Sequence, residues 1–262
     1  MKTTFLALFV ASLMAFASCE WLGTQDEEAS VDVVKGLKTA LQVGTDSAVK
    51  FTHAQDGFYK DMLIKILLPP EADIIVNNIG MIPGGDQMIE DVILRINRSA
   101  ETAANDAGPI FVDAITDLSI SQGMDILNGM NPADTTKAAV EGEFDSLAAT
   151  HYLQSTTFSP LKTTFQPYMA TALNTDMIAS ISANDAWNTL TNAFNSFART
   201  LAGKALGLNE VTVSLDDHVT TRGLNGLFLK VGDQERLIRR DPYHWASSAV
   251  GDILTSVFGK QQ

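Results

Sequence analysis

Apolar side chains recur every three or four residues along most of the chain, the spacing that lines one face of an α-helix. The clearest run is Ile89, Val92, Ile93, Ile96, Ala100, Ala103 and Ala107. Its first half carries Ile and Val and its second half only Ala, so the pattern predicts a helix that a neighbour approaches closely at its C-terminal end. Gly108-Pro109 predicts the end of that helix, because glycine suits a C-terminal cap and proline starts a helix more easily than it continues one. Ile110, Phe111, Ala114, Ile115 and Leu118 then predict a second helix folded back on the first as a tight hairpin. Ser119 and Gln122 have capping-box spacing and predict a third helix running to Asn128 and stopped by Gly129.

The flanking segments are mostly of the same kind. Val33, Val34, Leu37, Leu41, Ala48 and Val49 predict a helix over about Val31 to Phe51, with Gly36 and Gly44 as close-packing points. Two short runs look like β-strands, Ile64 to Leu68 and Glu210 to Val213, and would pair as a small two-stranded sheet. Pro70 opens a helix over about Glu71 to Ile79, and Gly84-Gly85 makes a turn before the central helix. Ser159-Pro160 restarts a helix that Pro167 should kink or end. Trp187, Leu190, Phe194, Phe197 and Leu201 form an aromatic-rich stripe, which at this spacing belongs to a core rather than to a ligand-stacking wall. Ser214 is placed to cap a helix with Asp217 at its third position, and Val250, Ile253, Leu254 and Val257 predict a last amphipathic helix. The fold class is therefore mainly α: a single helical, bundle-like domain over 31–258 with at most a small two-stranded, hairpin-like sheet.

Composition adds two exclusions. With 262 residues, 45% hydrophobic and 19% charged, the chain can bury a core and is not disordered. A net charge of −13 with no basic stripe repels phosphate backbones, so nucleic acid is not an expected partner. Arg236, Arg239 and Arg240 read as a solvated helix face.

The N-terminus suggests a compartment. Lys2 precedes an apolar run from Phe5 to Ala17, and small residues lead from it to a cysteine, as in a secretory signal. As a helix that run covers about 20 Å, short of the roughly 30 Å of a bilayer's hydrocarbon. Phe16-Ala17-Ser18-Cys19 resembles a lipobox, so residues 1–18 are expected to be a signal peptide and Cys19 to carry the acyl chains, palmitate among them, that hold the protein to a membrane. Residues 19–30 (from Cys19 through EWLGTQDEEAS) read as a solvated, flexible tether; their acidic run resembles a surface-export signal. Glu20 after the cysteine favours the outer membrane, on its periplasmic side or at the cell surface.

Candidate chemistry is sparse. Asn97, Arg98, Glu101 and Asp113 interrupt the apolar framework of the central segment. Arg98 and Glu101, three apart, can form an exposed ion pair worth about 0.2–0.5 kcal/mol, or with Asp113 they can converge near the expected elbow as a polar cluster that positions a ligand or another segment. Asp216 and Asp217, next to His218, form a second acidic cluster. Two acids in a first turn have a dipole reason to be there and adjacent residues cannot all face one ion, so no metal is expected. His53, His151 and His244 lack ligand spacing, a single cysteine allows no CxxC, and there is no P-loop, dinucleotide fingerprint or nucleophile elbow. No cofactor is implied.

The run NRSAETAANDAGPIFVDAITDLSISQGMDILNG, with GLKTALQVGTDSAV before it and SLDDHVTTRGLNGLF and IRRDP after it, resembles the bacterial domain-of-unknown-function family 4197 over about Val31 to Phe258. The resemblance implies a helical exported domain without assigned activity and brings no catalytic residues. Against that family pattern, residues from about Pro132 to Leu147 look like an insertion, an extra or lengthened helix. Two functions follow as expectations. One is a binding or scaffold module at the outer membrane that takes an envelope protein or an apolar small molecule into a groove between helices. The other is an enzyme with a site assembled from Arg98, Glu101, Asp113, Asp216 and Asp217. A purely structural envelope protein would show neither a pocket nor an apolar patch.

Overall fold

Four long helices form the core of the computed structural model, which describes residues 21–121, 123–130 and 144–259. They are α1 (Trp21–His53), α3 (Gly85–Asp117), α5 (Ala148–Leu173) and α8 (Asp216–Arg240). α1 packs on α3 and α8, and α5 closes the ring by packing on both α3 and α8. Phe111 of α3 and Phe228 of α8 meet at its centre with ring centroids 4.9 Å apart. The shorter helices sit around this ring: α2 (Asp73–Asn78), α4 (Gly123–Leu127), α6 (Ala183–Ala198), α7 (Leu201–Ala205) and α9 (Gly251–Phe258). α6 packs on α3, α9 on α1, and α4 on α1 and α5. Among the described residues there is no strand. The mainly α fold is as expected; the signal peptide, Cys19 and most of the 132–147 insertion lie outside the described residues.

The hairpin at Gly108-Pro109 does not exist. α3 runs through both residues as one 33-residue helix with Pro109 inside it. Proline removes one ladder bond, to the carbonyl four residues earlier, but Pro109 and Asn105 are both exposed, so water can take that bond's place. Burial of Phe111 and Ile115 on the same stripe as Ile96, Ala100 and Ala107 holds the helix straight past the break. α5 repeats the lesson. Pro160 and Pro167 lie inside a continuous 26-residue helix; both are exposed, while Leu153, Leu161, Phe165 and Met169 are buried on the other side.

Other boundaries moved as well. α1 is described from Trp21, so residues 21–30 of the segment expected to be a flexible tether are helical; Glu, Gln and Ala are good helix formers, and a short acidic run does not by itself break a helix. Residues 118–121 are not helical and α4 covers only Gly123–Leu127, although Gly129 stops it as expected with a φ of +80°. α8 has Leu215 as its N-cap; Ser214 Oγ instead accepts from Asp216 N at 3.2 Å. The aromatic stripe is buried from Trp187 to Phe194, but α6 ends at Ala198, and Leu201, past the Thr200 cap of α7, is 89% exposed.

The close-packing points are where they were expected. A Cβ on Gly36 would lie 2.5 Å from Val257 Cγ2 of α9, and one on Gly44 would lie 3.2 Å from the Val231 carbonyl of α8. The continuous α3 makes a direct prediction. Replacing Pro109 with Ala restores the missing bond and should raise the free energy of unfolding by about 1–3 kcal/mol in urea titrations. A turn at this position would make the same substitution neutral or harmful.

Candidate functional site

The two β-like runs form no strands and do not pair with each other: Ile64 closes a turn on Asp61, and residues 65–68 and 210–213 have no regular structure. Each is held by one buried asparagine. Asn97 of α3 accepts from Ile66 N at 2.9 Å and donates to Ile66 O at 2.8 Å. Asn195 of α6 does the same for Val211, at 2.8 Å in both directions. A carboxamide offers one acceptor and one donor side by side, as a neighbouring strand would. Both asparagines are at most 6% exposed, so the expected two-stranded sheet is replaced by two side-chain clamps.

Arg98 and Glu101 form more than an exposed pair. Arg98 donates to Glu101 Oε2 and to Asp56 Oδ1, both at 2.6 Å, and Lys60 reaches the other Asp56 oxygen at 2.8 Å. Glu101, 4% exposed, accepts from the backbone N–H of Phe58 at 3.2 Å and of Tyr59 at 3.1 Å. The hydrogen bond from Lys60, then that from Arg98, holds the Asp56 carboxyl below its usual range. Together these groups fix the 54–60 loop after α1, where Asp56 takes a φ of +71°. Asp113 is not among them: on one straight helix it lies about 18 Å along the axis from Glu101. The cluster positions a segment of this chain and offers no free acid or base for chemistry.

Sequence reasoning missed three further polar ties. Arg95, 4% exposed, pairs with Asp91 at 2.8 Å and donates to Ile178 O and Ile181 O at 2.7 and 2.6 Å. It thereby secures a turn in which Ala179 and Ser180 both have positive φ. Glu235 of α8 accepts from Ala149 N and Thr150 N at the start of α5, and Arg239, one turn on, pairs with it at 2.7 Å and donates to Leu127 O and Ile126 O at the end of α4. A carboxylate thus faces a helix N-terminus and a guanidinium a C-terminus, as the helix dipoles favour. Arg239 is 6% exposed on its side chain, which corrects the solvated-face reading for that residue; Arg236 does lie outside, paired with Asp233. The available signal was the pairing of opposite charges at i,i+4, as in Asp91–Arg95 and Glu235–Arg239, and nothing in that spacing separates a buried pair from a surface one. The third tie is Lys230 to Asp61 at 2.5 Å. Burial raises the Asp61 carboxyl, but hydrogen bonds from Lys230 and from Leu63 N outweigh it and leave the group below its ordinary value.

Asp216 and Asp217 separate. Asp217 pairs with Lys162 of α5 at 2.6 Å, while Asp216 bonds to Ser214. Among the described residues no three His, Cys, Asp or Glu side chains are grouped to hold a metal ion.

What the fold does build is a groove of about 560 Å³ between the second half of α3 and the first half of α5. Ile110, Ala114, Leu118 and Leu161 form its apolar lining, with Asp113, Asp117 and hydroxyls of α5 around them. Asp113 and Asp117 are one turn apart and have no ion-pair partner among the described residues. The groove depends on α3 continuing past Pro109. Of the five candidate catalytic residues, only Asp113 reaches it.

Two substitutions test the ties. Asn97→Ala leaves the Ile66 N–H and C=O buried without partners and should cost about 2–4 kcal/mol in chemical unfolding. Asp61→Asn should lower stability at pH 7, and the difference from wild type should shrink as the pH falls through and below about 4. A carboxyl depressed in the folded state stabilises only above its unfolded pKa and loses that contribution on protonation. A difference that persists unchanged to pH 2 would mean the Lys230 pair contributes nothing.

A family model described as Protein of unknown function (DUF4197) matches residues 27–259. No curated protein and no solved structure matches the chain.

Proposed function

The chain belongs to this DUF4197 family, whose description assigns no activity, and from that premise we propose that it is a cell-envelope binding module. In this reading a lipid on Cys19 holds it at the outer membrane, and the α3–α5 groove takes an apolar segment of an envelope protein or an apolar small molecule. The groove carries the reading: its volume of about 560 Å³ falls within the roughly 300–1,000 Å³ of ligand sites, and it joins an apolar lining to a few placed polar groups. Its unpaired Asp113 and Asp117 favour an occupant with a positive flank beside its apolar part. The signal-like N-terminus ending at Cys19 supports the anchor. Among the described residues no helix is long and apolar enough to cross a membrane, so in this reading acyl chains on Cys19 supply the attachment. The alternative of an enzyme loses its support in the geometry, because Arg98 and Glu101 are bonded within the fold and Asp216 and Asp217 are directed elsewhere.

A photo-crosslinking residue at Ala114, compared with one at the exposed Asn188 of α6 in intact cells, tests the groove. The expected result is an adduct specific to position 114, reduced about tenfold or more by the charge reversal Asp113→Lys/Asp117→Lys with the melting temperature unchanged. Identical products at both positions, or none at 114, would overturn the reading. Metabolic palmitate labelling, expected in the wild type and lost in Cys19→Ala, tests the anchor separately.

A further inference from the structure

A second cavity, of about 370 Å³, lies away from the groove, between the Pro69-Pro70-Glu71 turn, the extended residues Val213 and Ser214, and one stripe of α8. Asp217, His218, Thr221, Arg222 and Asn225 supply that stripe at helical spacing. Several of its polar groups lack partners.

Among the described residues Arg95, Arg98, Arg199, Arg236 and Arg239 each hold a carboxylate, and Arg222 holds none. Glu71 on the facing wall is equally unpaired, and the two are more than 4.0 Å apart, since no ion pair joins them. Asn225 accepts from Gln154 at 3.2 Å and has its own amide N–H groups unspent. His218 Nε2 lies 2.9 Å from Leu67 O; a carbonyl only accepts, so Nε2 is the donor and is already spent. Asp217 is already neutralised by Lys162.

The cavity thus offers one open cation, one open anion and the unspent amide donors of Asn225. We propose that it binds a small zwitterion carrying a carboxylate and a protonated amine, of the α-amino-acid or dipeptide class, with the carboxylate on Arg222 and the amine on Glu71. A guanidinium takes a carboxylate in a two-pronged bond, and the Asn225 amide is a neighbouring donor. A phosphate or simple carboxylate would meet Arg222 but leave Glu71 repelling it. A simple amine would leave Arg222 unmatched. The volume suits a ligand of this size, at the lower end of the range for small-molecule sites.

Isothermal titration at neutral pH tests this with the standard amino acids and L-alanyl-L-alanine as probes, against acetate and ethylamine. The expected result is saturable binding of at least one zwitterion, with acetate and ethylamine each at least about tenfold weaker. Arg222→Gln and Glu71→Gln, both at exposed positions, should each weaken binding by about tenfold or more without moving the melting temperature. No saturable heat from any zwitterion at millimolar concentration, acetate or ethylamine binding as tightly as the zwitterion, or affinity unchanged in both variants would overturn the assignment. The α3–α5 groove plays no part in this titration, so the two proposals fail independently.

Discussion

Buried backbone that lies outside helices must find hydrogen-bond partners, and in an all-α protein no sheet supplies them. This constraint shapes the molecule. Ile66 and Val211 lie buried in segments without regular structure, and each finds its partner in one asparagine side chain. Phe58 and Tyr59 find theirs in Glu101, Ile178 and Ile181 in Arg95, and the open ends of α5 and α4 in Glu235 and Arg239. The long helices therefore act both as packing surfaces and as frames whose inward polar side chains hold the irregular segments. Leaving any of these backbone groups unpaired costs about 1–3 kcal/mol, a large share of a typical domain's stability.

The same frame sets what is left for function. Asn97, Arg98 and Glu101 are bonded to the chain's own backbone and to Asp56. Because α3 does not turn at Pro109, Asp113 and Asp117 are carried away from that cluster and placed over an apolar trough against α5. α8 divides its faces in a similar way. Glu235 and Arg239 fasten helix ends, Lys230 fastens the loop at Asp61, and near the N-terminal end Arg222 has no ion-pair partner among the described residues. The groups free to meet another molecule are those the fold does not need.

Much of the architecture was legible in the sequence, because helical periodicity survives in the apolar positions of α1, α3, α6 and α9, and Gly36 and Gly44 mark real points of close approach. The prolines misled for a physical reason. Pro109, Pro160 and Pro167 all face solvent, where a missing backbone bond is cheap beside a buried apolar stripe, and a sequence read residue by residue does not weigh those two against each other. The β-like runs were read as strands, but they form none, and the partners of Ile66 and Val211 are side chains. Nothing near Ile64 or Glu210 announces an asparagine thirty-one or sixteen residues away. Arg98 and Glu101 could be singled out because they interrupt an apolar helix; Arg95, Glu235 and Arg239 look in sequence like ordinary surface charges.

Amide hydrogen exchange measured residue by residue reaches the central claim most directly. If asparagine side chains stand in for a sheet, the Ile66 and Val211 N–H groups should exchange slowly, at rates comparable to those of the buried helical amides of Ile96 and Phe194. Exchange at both positions as fast as at the exposed Met62 and Leu63 would show that the clamps do not hold, and that the irregular segments are not fastened to the helices in the way described.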